Sequence, residues 1–217
     1  DTSTDACSAA VWADGGVVER FETNDRNSDL ILPMVHAVLA EAELTLTHLD
    51  VIAFGRGPGS FTGLRICAGV AQGLAFGADL PVIPVSSLAA LAQGVDAPRV
   101  LAAFDARMNQ VYWGAYIRNA EGLMELTGSE AVISPAEAPL PEGDGWLGAG
   151  SGWDAYAKVL HVRLASACKE WLSGYFPRAR DVACLAAAAF IRGEVVPPEQ
   201  ALPVYLRDEV AVKMKKR

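Results

Sequence analysis

Two clusters of glycines and short oxygen-bearing side chains offer the most direct route to chemistry. Asp1-Thr2-Ser3-Thr4-Asp5 presents carboxylates and hydroxyls of the kind that hold a metal ion or a phosphate in kinases and ATPases. Asp, Ser and Thr in series are equally ordinary turn formers. The second cluster, Gly55-Arg56-Gly57-Pro58-Gly59-Ser60-Phe61-Thr62-Gly63-Leu64-Arg65, stands between a short apolar run and a helical pattern. Backbone N–H groups at such a helix start attract anions. The named fingerprints nevertheless fail. The residue three after Gly59 is Thr62, no Lys follows as in a P-loop, and Pro58 stands two before Ser60 where a hydrolase elbow needs Gly. The turn is therefore expected to order the strand-to-helix junction without binding a nucleotide. A working ATPase would add a second carboxylate and a second glycine turn, and Asp105 and the 148–152 glycines lie roughly where those would be, with no Lys beside them.

Histidines and cysteines argue against other chemistries. His36, His48 and His161 show no HxxxH or HExxH spacing, so no metal pair can be built from sequence neighbours, and each is expected at the surface or in a cap. Ser60 with a distant His is the one hydrolytic pairing on offer, a pattern almost any chain permits. Cys7, Cys67, Cys168 and Cys184 form no CxxC pair, which removes disulfide-scaffold and zinc-ribbon readings and points to reduced, cytoplasmic thiols. No catalytic residue, metal ligand or cofactor is assigned.

These residues must be positioned by an α/β framework. Apolar runs at 6–12 and 17–21 flank Asp14-Gly15-Gly16, a hairpin signal. Ser28 is placed to cap a helix running to about Glu43. A buried strand at 51–55, the glycine turn, a helix at 63–77, a strand at 81–85 and a short helix capped by Ser86 or Ser87 and ending at Gly94 follow. Strands are then expected at 100–104, 111–117, 123–127 and 146–149, a Gly-Ser-Gly turn at 150–152, and a helix at 181–192. Three meandering strands followed by alternating helices and strands, stated twice, imply duplicated α/β halves, 1–98 and 99–217, meeting near Ala97-Pro98, with the terminal segment packing back on the first.

Helix faces carry more information than the candidate catalytic residues. On the first helix, Leu30, Ile31, Leu32, Met34, Val35, Val38, Leu39 and Ala42 span about 200°, wider than the roughly 100° stripe that one sheet covers. On the second, Leu64, Cys67, Ala71 and Leu74 would lie on the sheet, leaving Arg65, Gly69, Gln72, Gly73 and Phe76 outward. An aromatic beside glycines has the make-up of an interface anchor next to a close-approach groove.

Length and charge set the outer bounds. The 217 residues, 52% hydrophobic, suffice for a core. The net charge of −8 is confined to residues 1–98, which hold 12 acidic and 4 basic side chains, whereas 99–217 hold 14 of each. An acidic half repels phosphate backbones, which makes the chain a poor candidate for a stand-alone nucleic-acid binder. The basic run 213–217 is read as a solvated terminus. No membrane span or secretory leader is expected in the sequence given, and the missing initiator Met implies further residues before Asp1.

Several segments together resemble the bacterial TsaB (YeaZ) family. They are Asp1-Thr2-Ser3-Thr4-Asp5-Ala6-Cys7-Ser8, Leu32-Pro33-Met34, Phe54 through the glycine turn to Arg65, Ala71-Gln72-Gly73-Leu74, Phe104-Asp105-Ala106-Arg107-Met108 with Val111-Tyr112-Trp113, and Pro203-Val204-Tyr205-Leu206-Arg207. The match runs nearly end to end and is weakest over 131–180. The resemblance implies an actin-like/Hsp70-like (ASKHA) fold of two βββαβαβα halves. It also implies a non-catalytic role in forming N6-threonylcarbamoyladenosine at tRNA position 37. In that system TsaD transfers the threonylcarbamoyl group, TsaB binds and stabilises TsaD, and the small ATPase TsaE helps to reset the complex, so tRNA is met only indirectly. Pairing with TsaD, or with a second copy, is implied through the first two helices, which makes Leu32, Pro33, His36, Leu39, Arg65, Gly69, Gln72, Gly73 and Phe76 the candidate interface. Two departures are Asn27, where many relatives have His, and Val212, near which they have an aromatic. An actin-like ATPase or kinase using Asp1 and Asp105, and a glycoprotease-like peptidase using Ser60, are the alternative readings.

Overall fold

The computed structural model describes residues 1–13, 15–23 and 26–207, so Asp14 of the hairpin turn, Val212 and the basic run 213–217 lie outside the described residues. β1 (Ala6–Ala13) and β2 (Gly16–Thr23) form the antiparallel hairpin that the turn signal predicts. α1 (Asn27–Glu41) lays Ile31, Met34 and Val38 on Cys7, Ala9 and Val11 of β1. Ser28 does not cap it. Its hydroxyl turns to Asp29, and the helix begins one residue earlier, where the Asn27 side-chain amide donates to the Thr4 carbonyl at 3.0 Å.

β3 (Ile52–Gly57), α2 (Phe61–Ala78) and β4 (Val82–Ser86) make a right-sized parallel βαβ unit, and α3 (Ser87–Gly94) follows at once. Ser86 serves as its N-cap, accepting from the Ala89 N–H at 3.3 Å. Two strands, not three, precede α1 among the described residues. The four strands of this half therefore form two separate pairs, β1-β2 and β3-β4. Between them runs an apolar trough of about 550 Å³.

In the second half β5 (Arg99–Asp105), β6 (Val111–Arg118) and β7 (Met124–Ile133) form the expected meander. β8 (Trp146–Ala149), α4 (Ser151–Leu164) and β9 (Cys168–Leu172) complete a five-stranded sheet of order β7-β6-β5-β8-β9. α4 and β9 were not legible in sequence. α4 buries only Gly152, Trp153, Leu160 and Leu164, and non-helical angles at Tyr156 break its period. Three of the five residues of β9 are exposed. Trp153 is the core of this half, with its indole N–H donating to the Leu101 carbonyl at 2.8 Å.

α5 (Ala179–Ile191) crosses back to the first half. Val182, Ala186 and Ala189 pack on Ile83, Val85 and Ala90, and the Ala179 N–H donates to Ser8 Oγ at 2.9 Å. Arg178 pairs with Glu19 of β2 at 2.6 Å. At the junction of the halves, Tyr116 and Ser86 both donate to the Glu130 carboxylate. The connection around residue 95 is held by Arg118, whose guanidinium donates to the carbonyls of Gln93, Val95, Ala97 and Gly122 at 3.3, 2.6, 3.3 and 2.7 Å. Replacing Arg118 by Ala removes the donor that these four carbonyls share, those of Val95 and Gly122 keeping the Ala97 N–H and the Gln93 side-chain amide, and a loss of about 2–3 kcal/mol in urea unfolding is expected, with little loss for a surface control such as Arg192→Ala.

Asp181, in the first turn of α5, is buried, and that burial raises its carboxyl to about 6 against the pull of Arg180 and Arg178. A raised acid pKa means that the folded chain holds the proton more tightly than the unfolded one. Stability is therefore greatest below about pH 4 for this group and falls as pH rises towards 6. Asp181→Asn should stabilise the protein at pH 7 by about 2–3 kcal/mol and flatten the pH 4–6 slope in thermal melts.

Candidate partner interface

The Asp1 cluster and the glycine turn meet, and they fill each other. The Ser60 N–H donates to the Ser3 carbonyl at 2.7 Å and Thr2 Oγ1 donates to the Gly63 carbonyl at 2.7 Å. A Cβ on Gly59 would stand 2.1 Å from the Ser3 oxygen, and one on Gly63 would stand 2.0 Å from the Thr2 oxygen. The glycines thus admit main chain where a phosphate cradle would need open space. Asp1 Oδ1 accepts from the Ser3 N–H and hydroxyl at 2.9 and 2.8 Å. Ser60 is the N-cap of α2, accepting from the Gly63 N–H at 3.3 Å.

The second half repeats the device. A Cβ on Gly150 would meet the Ala103 carbonyl at 2.4 Å. Asp105 accepts from the Arg107 N–H at 2.8 Å, pairs with its guanidinium at 3.2 Å and receives the Tyr156 hydroxyl at 3.3 Å. The histidines sit apart from these turns. His48 Nδ1 accepts from the Thr45 N–H at 3.1 Å, His161 lies against Trp171, and His36 is exposed on α1. Among the described residues, no three His, Cys, Asp or Glu side chains converge on a point that would hold a metal. Burial pushes the Cys168 thiol up to about 11 and that of Cys7 above its usual value, so both are inert core thiols at neutral pH. Burial beside Glu130 holds the Tyr116 phenol well above its ordinary value.

What remains outward is the helical face. Leu64, Cys67 and Ala71 of the predicted sheet-facing side of α2 are buried, together with Ala68 and Ala75, while Leu74 is only half-buried. Arg65, Gly69, Gly73 and Phe76 are exposed on the other, with Gln72 half-buried between them. On α1, Leu32, Pro33 and His36 are exposed and Leu39 is half-buried. Leu32 is 53% exposed and Phe76 61%, both high for large apolar groups. The over-wide arc of α1 is explained in part within the chain, since Val35 and Leu39, with Ile66 and Val70 of α2, pack against the same buried cluster.

Sequence reasoning missed Gly77. Gly69, Gly73 and Gly77 form an i, i+4, i+8 stripe, and among the described residues a Cβ on any of them would meet nothing within 4 Å. The spacing alone was enough to find it. Reasoning also missed the partners of Arg65. Its guanidinium stacks on the Phe61 ring at 3.6 Å, and Nε donates to the Tyr205 hydroxyl at 3.3 Å. Tyr205 belongs to an extended segment whose Val204 N–H donates to the Arg56 carbonyl at 2.8 Å and whose Arg207 donates to Gln110 at 2.6 Å. Arg65 therefore marks the end of the exposed face, next to the segment that straps the two halves.

Comparison with known proteins places this architecture. The family model described as TsaD, tRNA N6-adenosine threonylcarbamoyltransferase, matches residues 8–213. The Escherichia coli tRNA threonylcarbamoyladenosine biosynthesis protein TsaB is 44% identical over 98% of this chain and 95% of its own length. Its Haemophilus influenzae namesake is 40% identical over 98% and 94%. YeaZ from Pseudomonas aeruginosa superposes with a TM-score of 0.87 at 46% identity, covering 94% of this chain and 96% of that one. A second solved chain, described as an uncharacterized protein with similarity to peptidase YEAZ, gives 0.88. The chain belongs to the TsaD family, with its actin-like α/β fold, and within it to the TsaB (YeaZ) proteins.

Proposed function

We propose that this chain is a non-catalytic scaffold subunit in N6-threonylcarbamoyladenosine formation at tRNA position 37, and that it binds a TsaD-like subunit through the outward face of α1 and α2. The observation that carries the reading is the glycine stripe. Each exposed Gly inside a helix costs about 0.5–1 kcal/mol relative to Ala, and among the described residues nothing approaches Gly69, Gly73 or Gly77 closely enough to require it. A facing helix that packs backbone to backbone does require it. Phe76 and Leu32 flank the stripe as apolar anchors, and Pro33, His36, Leu39 and Gln72 complete the surface.

The names of the relatives supply the pathway, and the geometry supports the non-catalytic role. Both glycine turns are packed with main chain, and Ser60 is committed to its cap. On this reading the TsaE-like ATPase joins the assembled complex, tRNA is met through the enzyme, and a second copy takes the same face when TsaD is absent. The site of action is the cytoplasm, consistent with the absence among the described residues of a helix long and apolar enough to cross a membrane. The negative excess of residues 1–98 steers the partner and keeps the exposed face from self-associating indiscriminately.

Gly69→Ala with Gly73→Ala separates the two roles of the stripe. The isolated double variant should gain about 1–2 kcal/mol of stability in urea unfolding while its affinity for the TsaD-like subunit falls at least tenfold by calorimetry. Phe76→Asp should abolish co-elution with that subunit in gel filtration and leave the melting temperature within about 2 °C of the parent. Modification of tRNA in a reconstituted system should collapse when the chain is left out. Undiminished modification without it would defeat the scaffold reading.

A further inference from the structure

We infer that the patch where the first turn of α2 meets the 203–207 segment and the turn at 106–110 is a direct contact for single-stranded RNA, a loop of the tRNA that the partner enzyme holds. The inference deepens the scaffold reading and rests on it, because a chain with so acidic a first half does not recruit RNA unaided. The enzyme brings the tRNA, and this surface touches it. Aromatic exposure is the first observation. Phe61 is 52% exposed and Tyr205 43%, with ring centroids 5.6 Å apart. Met108, 68% exposed, is joined to this ring pair through Arg207, which lies two residues after Tyr205 and donates to the Met108 sulfur at 3.6 Å. Open faces set side by side are what successive unpaired bases stack on.

Charge is the second observation. Of the four basic residues in 1–98, Arg20 pairs with Glu41 and Arg26 with Asp29, whereas Arg65 is held by neutral groups. Its guanidinium lies flat on the Phe61 ring and its Nε bonds to Tyr205, so that, among the described residues, Nη1 and Nη2 have no protein acceptor. Arg207 is held likewise by a thioether and by the Gln110 amide oxygen rather than by a carboxylate. Arginines oriented by neutral partners keep their full charge for phosphates, and a guanidinium stacked on a ring presents its own plane to a base. The sequence over 203–217 carries five basic residues against two acidic ones. A protein segment would have to combine acidic groups with flat apolar faces to match this patch. RNA carries both in every nucleotide.

Backbone and position agree with this. Arg107, Met108 and Asn109 have φ of 60°, 54° and 58°, three successive left-handed residues without a glycine. That costly conformation holds Arg107 and Met108 exposed beside Arg207. Phe61 and Phe76 stand at opposite ends of α2, about 22 Å apart along its axis. The RNA patch therefore begins where the proposed partner face ends, and one macromolecule held by that partner reaches it without competing for the glycine stripe.

The test uses the unsubstituted chain assembled with its TsaD-like subunit and a tRNA transcript made with thiouridine in place of uridine. Irradiation is expected to link a loop nucleotide to the peptide that holds Phe61 or the one that holds Tyr205. Phe61→Ala with Arg207→Gln should weaken tRNA binding by the assembled complex about tenfold and lower its salt slope by about one, while the variant still co-elutes with the TsaD-like subunit. If the double variant fails to fold, the cross-link decides alone. Links confined to the TsaD-like subunit, or parental tRNA binding by the folded variant, would overturn the assignment and leave the scaffold reading standing. Amide protection at 61–65 produced by the TsaD-like subunit alone and unchanged by tRNA would assign the patch to protein instead. Failure of the unsubstituted chain to co-elute would defeat the scaffold reading, and this inference with it.

Discussion

The Thr2 and Ser3 carbonyls lie so near Gly63 and Gly59 that a Cβ at either position would intrude to about 2 Å. Because the Asp1–Ser3 main chain enters the 55–63 turn, the Ser60 cap is formed and α2 starts at a fixed point and angle. From that start the direction of α2 sets which residues meet the sheet and which face outward. A similar approach of a glycine to a main-chain carbonyl, Gly150 to Ala103 of β5, stands at the start of α4 in the second half. The glycines of these motifs are thus explained by the close packing of main chain against a helix start.

Much of this was legible because it is local. The hairpin at Gly15-Gly16, the cap at Ser86, the strand at Trp146–Ala149 and the two faces of α2 follow from turn chemistry and periodicity within a few residues. α4 was hidden because its buried positions, Trp153, Leu160 and Leu164, straddle a break at Tyr156 and never form a clean stripe. The start of α1 was misread because Ser28 turns to its neighbour Asp29, whereas Asn27 reaches the Thr4 carbonyl, 23 residues away. The engagement of Arg65 by Tyr205 spans 140 residues and leaves no local trace. For the candidate interface the residue types were visible. Their outward direction depends on where α2 begins.

Charge and packing divide the labour between the two halves. The first half carries the whole acidic excess together with an exposed apolar helical face, and the second half is neutral overall. The joints between the halves rely on groups that accept or donate several bonds at once. Glu130 receives both Tyr116 and Ser86, and Arg118 gathers four carbonyls. Such multiply bonded groups give the joint between the halves a single geometry.

The return of α5 to the first half has a consequence for synthesis. Its residues Val182 and Ala186 complete the cover over Ile83 and Val85, which leave the ribosome about a hundred residues earlier. Throughout that interval the underside of β3 and β4 has no native cover, although α1 and α2 can already pack on the other side. The early part of the chain must therefore wait, with apolar surface open to chaperones, for a helix encoded near its end.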